Sequence, residues 1–129
     1  MTLRTLTLSV LPETLAVCRL GPDDAMPDWA LATNSFLSLT RTSDELSVVC
    51  PESCVPDGIR CEGDWRALKI DGPLDFAETG ILVSLATPLA DAGVSLFAVS
   101  TFDTDYLLVK QAALDRVRSV LSEAGHRIA

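Results

Sequence analysis

Three groups of residues in this 129-residue chain have types and spacings that could do chemistry. The first is Asp71-Gly72-Pro73-Leu74-Asp75-Phe76-Ala77-Glu78-Thr79-Gly80-Ile81. It runs into an apolar period of four that marks a helix, and a helix start carries unpaired backbone N–H groups and a positive dipole end. Those suit a ligand carboxylate. Gly80 lets a ligand come close to the backbone, and Glu78 can take an ammonium or a cationic side chain. The second group is Asp103 and Asp105 in Thr101-Phe102-Asp103-Thr104-Asp105. A D-x-D pair can hold a divalent cation, and Asp105 offers a second carboxylate to a cationic ligand. Asp and Thr also build turns by hydrogen-bonding nearby backbone, so Asp105 has a plain structural reading beside the ligand one. The same holds for Glu78 as a first-turn acid, for Thr79 as an N-cap and for Gly80 as part of the turn. The third group is Cys18, Cys50, Cys54 and Cys61 with the single His126. The C-x3-C spacing is only loosely zinc-like and the histidine stands at the far end of the chain, so reduced thiols and no metal are expected.

Catalysis finds little footing. No G-x-S-x-G, P-loop or dinucleotide fingerprint is present, and His126 lies among terminal residues expected to fray or to form an edge strand. No enzyme activity and no cofactor are expected.

The elements that must position these groups centre on residues 93–110, GVSLFAVSTFDTDYLLVK. Two arms rich in Val, Leu, Phe and Tyr, 94–100 and 104–110, flank the Thr/Asp turn and predict a β-hairpin. Before it, Ile81, Leu85 and Leu89 recur every four residues and predict a helix over 80–92, with Pro88 in its last turns. After it, Leu114, Val117 and Leu121 predict a helix over 111–124 that stops at Gly125. A strand at 65–70 precedes the first helix and a short one at 126–128 follows the second. The order is βαββαβ: a ferredoxin-like α+β unit with an antiparallel sheet and helices on one face.

The first half is mostly β. Residues 3–10 alternate like a strand, Leu11-Pro12-Glu13 reads as a turn, and 15–20 reads as a second strand, giving a hairpin. A helical stub follows near Trp29, then a hairpin 35–41 and 45–50, then a loop or single helical turn at 51–58. Gly63-Asp64 reads as the joint, dividing the chain into 1–63 and 64–129. Shifting the chain by 61 residues lays Phe36 on Phe97, Thr40 on Thr101, Asp44 on Asp105 and Leu46 on Leu107. The first half is therefore expected to be a reduced copy of the second.

Composition narrows the function classes. The chain is 48% hydrophobic and 22% charged, which suits a folded domain, and its net charge is −8. Acidic excess disfavours nucleic acid and anionic membrane surfaces. No apolar run reaches the roughly 20 residues of a membrane span, and the start has no long apolar core, so a cytoplasmic location is expected.

The segments PLDFAETGIL and PLADAGVSLFAVSTFDTDYLLV, with AVCRL and SFLSLTRTSDELSVVCPE before them, resemble the ACT domain family. The likeness is to small two-unit bacterial ACT proteins and to the ACT repeats of cytosolic arginine sensors. It covers nearly the whole chain. The resemblance implies a βαββαβ fold, paired units, and a small molecule, often an amino acid, bound at an interface for regulation. It implies that Glu78, Gly80, Ile81 and Asp105 line an amino-acid pocket, with Ser95 and Leu96 supplied by the facing unit. The interface is one between units or between subunits, and a homodimer is expected. The rival expectation is a ligand-free dimerisation or interaction module acting on a partner protein, motivated by the apolar hairpin 94–110.

Overall fold

A computed structural model describes residues 5–74 and 80–129. The elements run β1 (Thr7–Leu20), α1 (Asp28–Leu31), β2 (Ser38–Arg41), β3 (Leu46–Pro51), a 3-10 turn (Glu52–Cys54) and β4 (Cys61–Ile70). They continue with α2 (Ile81–Asp91), β5 (Phe97–Ser100), β6 (Asp105–Lys110), a second 3-10 turn (Gln111–Ala113), α3 (Leu114–Glu123) and β7 (Arg127–Ile128). Among the described residues, no helix is long and apolar enough to cross a membrane.

The chain forms two compact units, and their borders differ from the expected division at 63/64. One comprises the residues up to Pro12 together with Arg66–Ala129; the other is Glu13–Trp65. Both borders fall inside strands. The expected turn at Leu11-Pro12-Glu13 is absent, because β1 runs extended through it. Proline's fixed φ is compatible with extended backbone. Pro12 also falls between the ladder with β7 at Thr7–Leu8 and the ladder with β3 starting at Leu15, so on that side of β1 it interrupts neither. Likewise Gly63-Asp64 is no joint but part of β4, with Asp64 the one described non-glycine residue at positive φ (62°). A short polar side chain tolerates that conformation better than most.

In the first unit, Leu6 and Leu8 explain why the chain's start belongs there. Both are buried in one core with Leu68, Ile70, Leu85, Leu89, Leu107, Val109, Val117 and Leu121. Each such side chain contributes about 1.5–3 kcal/mol by leaving water. The expected order β4-α2-β5-β6-α3-β7 is present. The sheet is not wholly antiparallel, however. β1 lies next to β4, and β7 pairs with β1 in parallel, Thr7 opposite Arg127. The two helices bury the faces their periodicity predicts: Ile81, Leu85 and Leu89 on α2; Leu114, Val117 and Leu121 on α3. Both end in the same way. Gly93 (φ 75°) and Gly125 (φ 97°) follow them, with Val94 N–H bonded to the Leu89 carbonyl (2.9 Å) and His126 N–H to the Leu121 carbonyl (3.0 Å). Glycine is favoured there because the reversal needs a left-handed residue.

In the second unit, β3 pairs antiparallel with both β1 (Cys18 opposite Val48) and β2 (Leu39 opposite Val48). Its core is small: Ala16, Cys18, Ala30, Leu46, Val48 and Cys50. The helical stub at Trp29 is the four-residue α1.

The two hairpins correspond at an offset of 59 residues, not 61. Ser38 and Phe97, Leu46 and Asp105, Glu52 and Gln111 open matching elements of equal length. The turns match too: Thr42 N–H bonds the Glu45 carbonyl (2.9 Å) as Thr101 N–H bonds the Thr104 carbonyl (2.8 Å). The two-residue error has a physical cause. Strand side chains repeat every two residues, so a slip of two keeps every apolar residue on its face and leaves the sequence pattern unchanged. Asp105 therefore corresponds to the buried Leu46, and it is Asp103 that corresponds to Asp44.

Candidate functional site

Three segments of the first unit converge on one cavity of about 360 Å³. The first is the start of α2. Gly80 caps it at φ 79° and brings no side chain to the cap. The first intrahelical bond is from Ser84 N–H to the Gly80 carbonyl (2.9 Å), so the N–H groups of Ile81, Leu82 and Val83 stand ahead of it. The second segment is the loop after β4. Leu74 N–H donates to the Asp103 carbonyl (2.7 Å), and a Cβ on Gly72 would come within 3.0 Å of that same oxygen. The third is the β5–β6 turn, residues 100–105. Thr101 closes it through its N–H and its hydroxyl, which donates to the Thr104 carbonyl (2.9 Å). The buried Thr104 hydroxyl then donates to the Ile70 carbonyl (2.6 Å), anchoring the turn to the end of β4.

The lining is chemically divided. Leu74, Ile81, Leu82, Val83 and Phe102 are apolar; Asp103 and Asp105 bring carboxylates; the helix start brings N–H donors and a positive dipole end. A zwitterion fits that division, with its carboxylate at the helix start and its ammonium at Asp105. The volume is that of a small-molecule site. At the rim, Phe102 is 78% exposed and Val83 63% exposed, an apolar surface that a ligand or a partner would cover.

Of the residues expected from sequence, Gly80, Ile81 and Asp105 come together here. Glu78, with Asp75 and Thr79, lies outside the described residues. Ser95 borders a different hollow, of about 430 Å³, beside Lys110 and Arg116. Leu96 packs half-buried against the core. The N-cap is Gly80. Among the described residues no three His, Cys, Asp or Glu side chains are grouped to hold a metal ion. His126 is not frayed: it is buried, with both ring nitrogens hydrogen-bonded. Sequence reasoning missed Phe102 and Thr101. An aromatic in the middle of an otherwise polar turn was the signal available, since turn positions favour Gly, Asn, Asp and Ser.

Gly80 supplies a first prediction. Among the described residues a Cβ there would meet nothing within 4 Å, so the cost to expect is conformational. Gly80→Ala is expected to lower stability by about 1 kcal/mol, because only glycine takes positive φ freely. Denaturant unfolding checks this. A neutral result would show that the helix start relaxes to negative φ.

Comparison with known proteins gives a consistent picture. Residues 60–123 match the family model described as the ACT domain, and a second model, described as an N-terminal domain, matches residues 13–58. The human protein named cytosolic arginine sensor for mTORC1 subunit 1 is 43% identical over 58 residues, which are 44% of this chain and 18% of that protein. The chain therefore matches less than a fifth of the length of that relative. A crystal structure of a protein from Agrobacterium tumefaciens superposes with a TM-score of 0.93 at 38% identity, covering 98% of this chain and 94% of that one. The regulatory subunit of aspartate kinase from Thermus thermophilus superposes with a TM-score of 0.62 at 8% identity, covering 92% and 96%, which is a likeness of fold.

Proposed function

The chain belongs to the ACT domain family through residues 60–123, and from that footing we propose that it is a regulatory protein, not an enzyme, that binds an amino acid in the cavity between α2 and the β5–β6 turn. The observation that carries this reading is the meeting of a helix start, a half-buried carboxylate and an apolar wall in one small-molecule-sized space. The hairpin correspondence supports it. At the 59-residue offset Asp105 has Leu46 as its counterpart, and Thr101 closes the turn, so the turn itself gives no reason for a carboxylate at 105. Glu78 joins the site by family resemblance, as a second carboxylate. Ser95 and Leu96 would come from the facing unit of a second copy, so the ligand sits at the interface of a homodimer. A cytosolic location goes with this reading.

Since a relative carries the name of an arginine sensor, cationic amino acids head the test, which is a thermal-shift screen of the twenty amino acids with size-exclusion in parallel. One or two ligands are expected to stabilise the fold, by about 2.7 kcal/mol at 100 times the dissociation constant. A flat screen on a monomer would overturn the proposal. The exposed Phe102 and Val83 favour a second reading, a ligand-free interaction module. A dimer that survives dilution, with no response to any amino acid, would establish that reading instead.

A further inference from the structure

The unit Glu13–Trp65 holds all four of the chain's cysteines, none of them in a disulfide. They are graded by depth: Cys18 and Cys50 are buried, Cys54 is half-buried and Cys61 is exposed. On the β1–β3 ladder Ala16 faces Cys50 and Cys18 faces Val48, which makes Cys18 and Cys50 diagonal neighbours on one face. Arg19 N–H donates to the Arg60 carbonyl (2.9 Å), which draws the start of β4 alongside the end of β1. Cys18 therefore stands between the other two, with Cys50 diagonal to it on β3 and Cys61, next to Arg60, on the β4 side, and both act on its thiol. Its bond to Cys50, its burial and the nearby sulfurs push the Cys18 thiol up, while the same bond from Cys18 pulls the Cys50 thiol down. The cluster does not form a metal cage. It does lead from the surface to the core, which is what a two-thiol oxidation needs: one thiol that an oxidant reaches and a second behind it.

We propose that Cys61 is a site of oxidation by hydroperoxides and that Cys18 resolves it into a Cys18–Cys61 disulfide. In the first step the Cys61 thiolate attacks the peroxide. An S–O bond forms, the O–O bond breaks, and the departing oxygen takes a proton and leaves as alcohol or water. Cys61 is then a sulfenic acid. In the second step the Cys18 sulfur attacks the Cys61 sulfur. The S–S bond forms, the S–O bond breaks, and the Cys18 proton goes to the leaving hydroxide, giving water. Two thiols are oxidised by two electrons and one peroxide is reduced. Cys18–Cys50 is the less suitable pair, because diagonal neighbours hold their Cα atoms about 7–8 Å apart and a disulfide needs about 4.4–6.8 Å.

The test uses the reduced full chain and a small excess of hydrogen peroxide, read by thiol titration, intact mass and peptide mapping. Two of the four thiols are expected to disappear, with the loss of two hydrogens from the intact chain and a linked pair of peptides containing Cys18 and Cys61. Cys61→Ser, a change at an exposed position that should leave the fold intact by circular dichroism, is expected to slow thiol loss at least about tenfold. Cys54→Ser is expected to change nothing. Alkylating Cys61 in the folded protein before peroxide should protect Cys18. The proposal is overturned by any of four results: a Cys61 sulfinic acid with Cys18 still reduced, a Cys61–Cys61 link between two chains, a Cys18–Cys50 link, or equal oxidation of the Cys61→Ser variant.

Discussion

Replacing His126 with alanine is expected to remove about 3–4 kcal/mol of stability, a large share of what a domain of this size has. The ring is 5% exposed and both nitrogens are engaged. Leu6 N–H donates to Nδ1 (3.1 Å), so Nδ1 must carry a lone pair and the proton sits on Nε2, which donates to the Ser84 carbonyl (3.2 Å). The Ser84 carbonyl needs that donor for a reason written in the sequence. In α2 its regular partner would be the N–H of residue 88, and residue 88 is proline. The histidine thus does for Ser84 what the helix cannot. Alanine would strand a buried N–H and weaken the solvation of a buried carbonyl, at about 1–3 kcal/mol each, and leave the space of the ring behind. Urea unfolding measures the loss. In a Pro88→Ala background the Ser84 carbonyl regains a backbone donor, and the cost of losing His126 should shrink by about 1 kcal/mol. Strict additivity of the two changes would show that the histidine does not stand in for the missing helix bond, and a loss below about 1 kcal/mol would remove the structural role altogether.

The second large effect concerns binding. Asp105→Ala is expected to weaken the ligand found in the screen by about 1.5–3 kcal/mol, which is roughly 10- to 150-fold in dissociation constant. Stability without ligand should change by no more than about 0.5 kcal/mol, because the turn is closed by Thr101 and the Asp105 side chain is half-buried. Asp105→Asn keeps the shape and loses the charge. If the carboxylate meets an ammonium or a guanidinium, asparagine should recover little of the affinity. Asp103→Ala is the control: its backbone carbonyl, not its carboxylate, holds Leu74, so its loss should matter less. Calorimetric titration of the variants decides the matter. Equal affinity in Asp105→Ala and the natural chain would place the ligand somewhere else.

Much of the first unit could be read directly from residue order. The period of four in Ile81, Leu85 and Leu89 and the spacing of Leu114, Val117 and Leu121 became buried faces, because helical geometry brings residues three and four apart onto one side. Gly125 became a helix stop, because a left-handed position selects glycine. Gly80 and Asp105 stood out because their chemistry is local: a helix start and a turn carboxylate are legible one residue at a time, whereas Ile81 entered through family resemblance.

What residue order left undecided depends on partners distant in the chain. Leu6 and Leu8 look the same whether they pack in the first half or the second, and only their burial against Leu68, Ile70 and Leu107 assigns them. Pro12 and Gly63 carry turn signals that pairing on either side overrides. The hairpin offset of 59 could not be told from 61, since alternation survives a shift of two. His126 gave no sign of its role, because its partners lie 120 and 42 residues away at Leu6 and Ser84. The thiols of Cys18 and Cys61 likewise meet only once β1 and β4 lie side by side. Local periodicity and backbone preference set the elements and their caps; long-range burial and strand pairing set the unit borders, the histidine bridge and the thiol cluster, because those energies exist only after distant segments have come together.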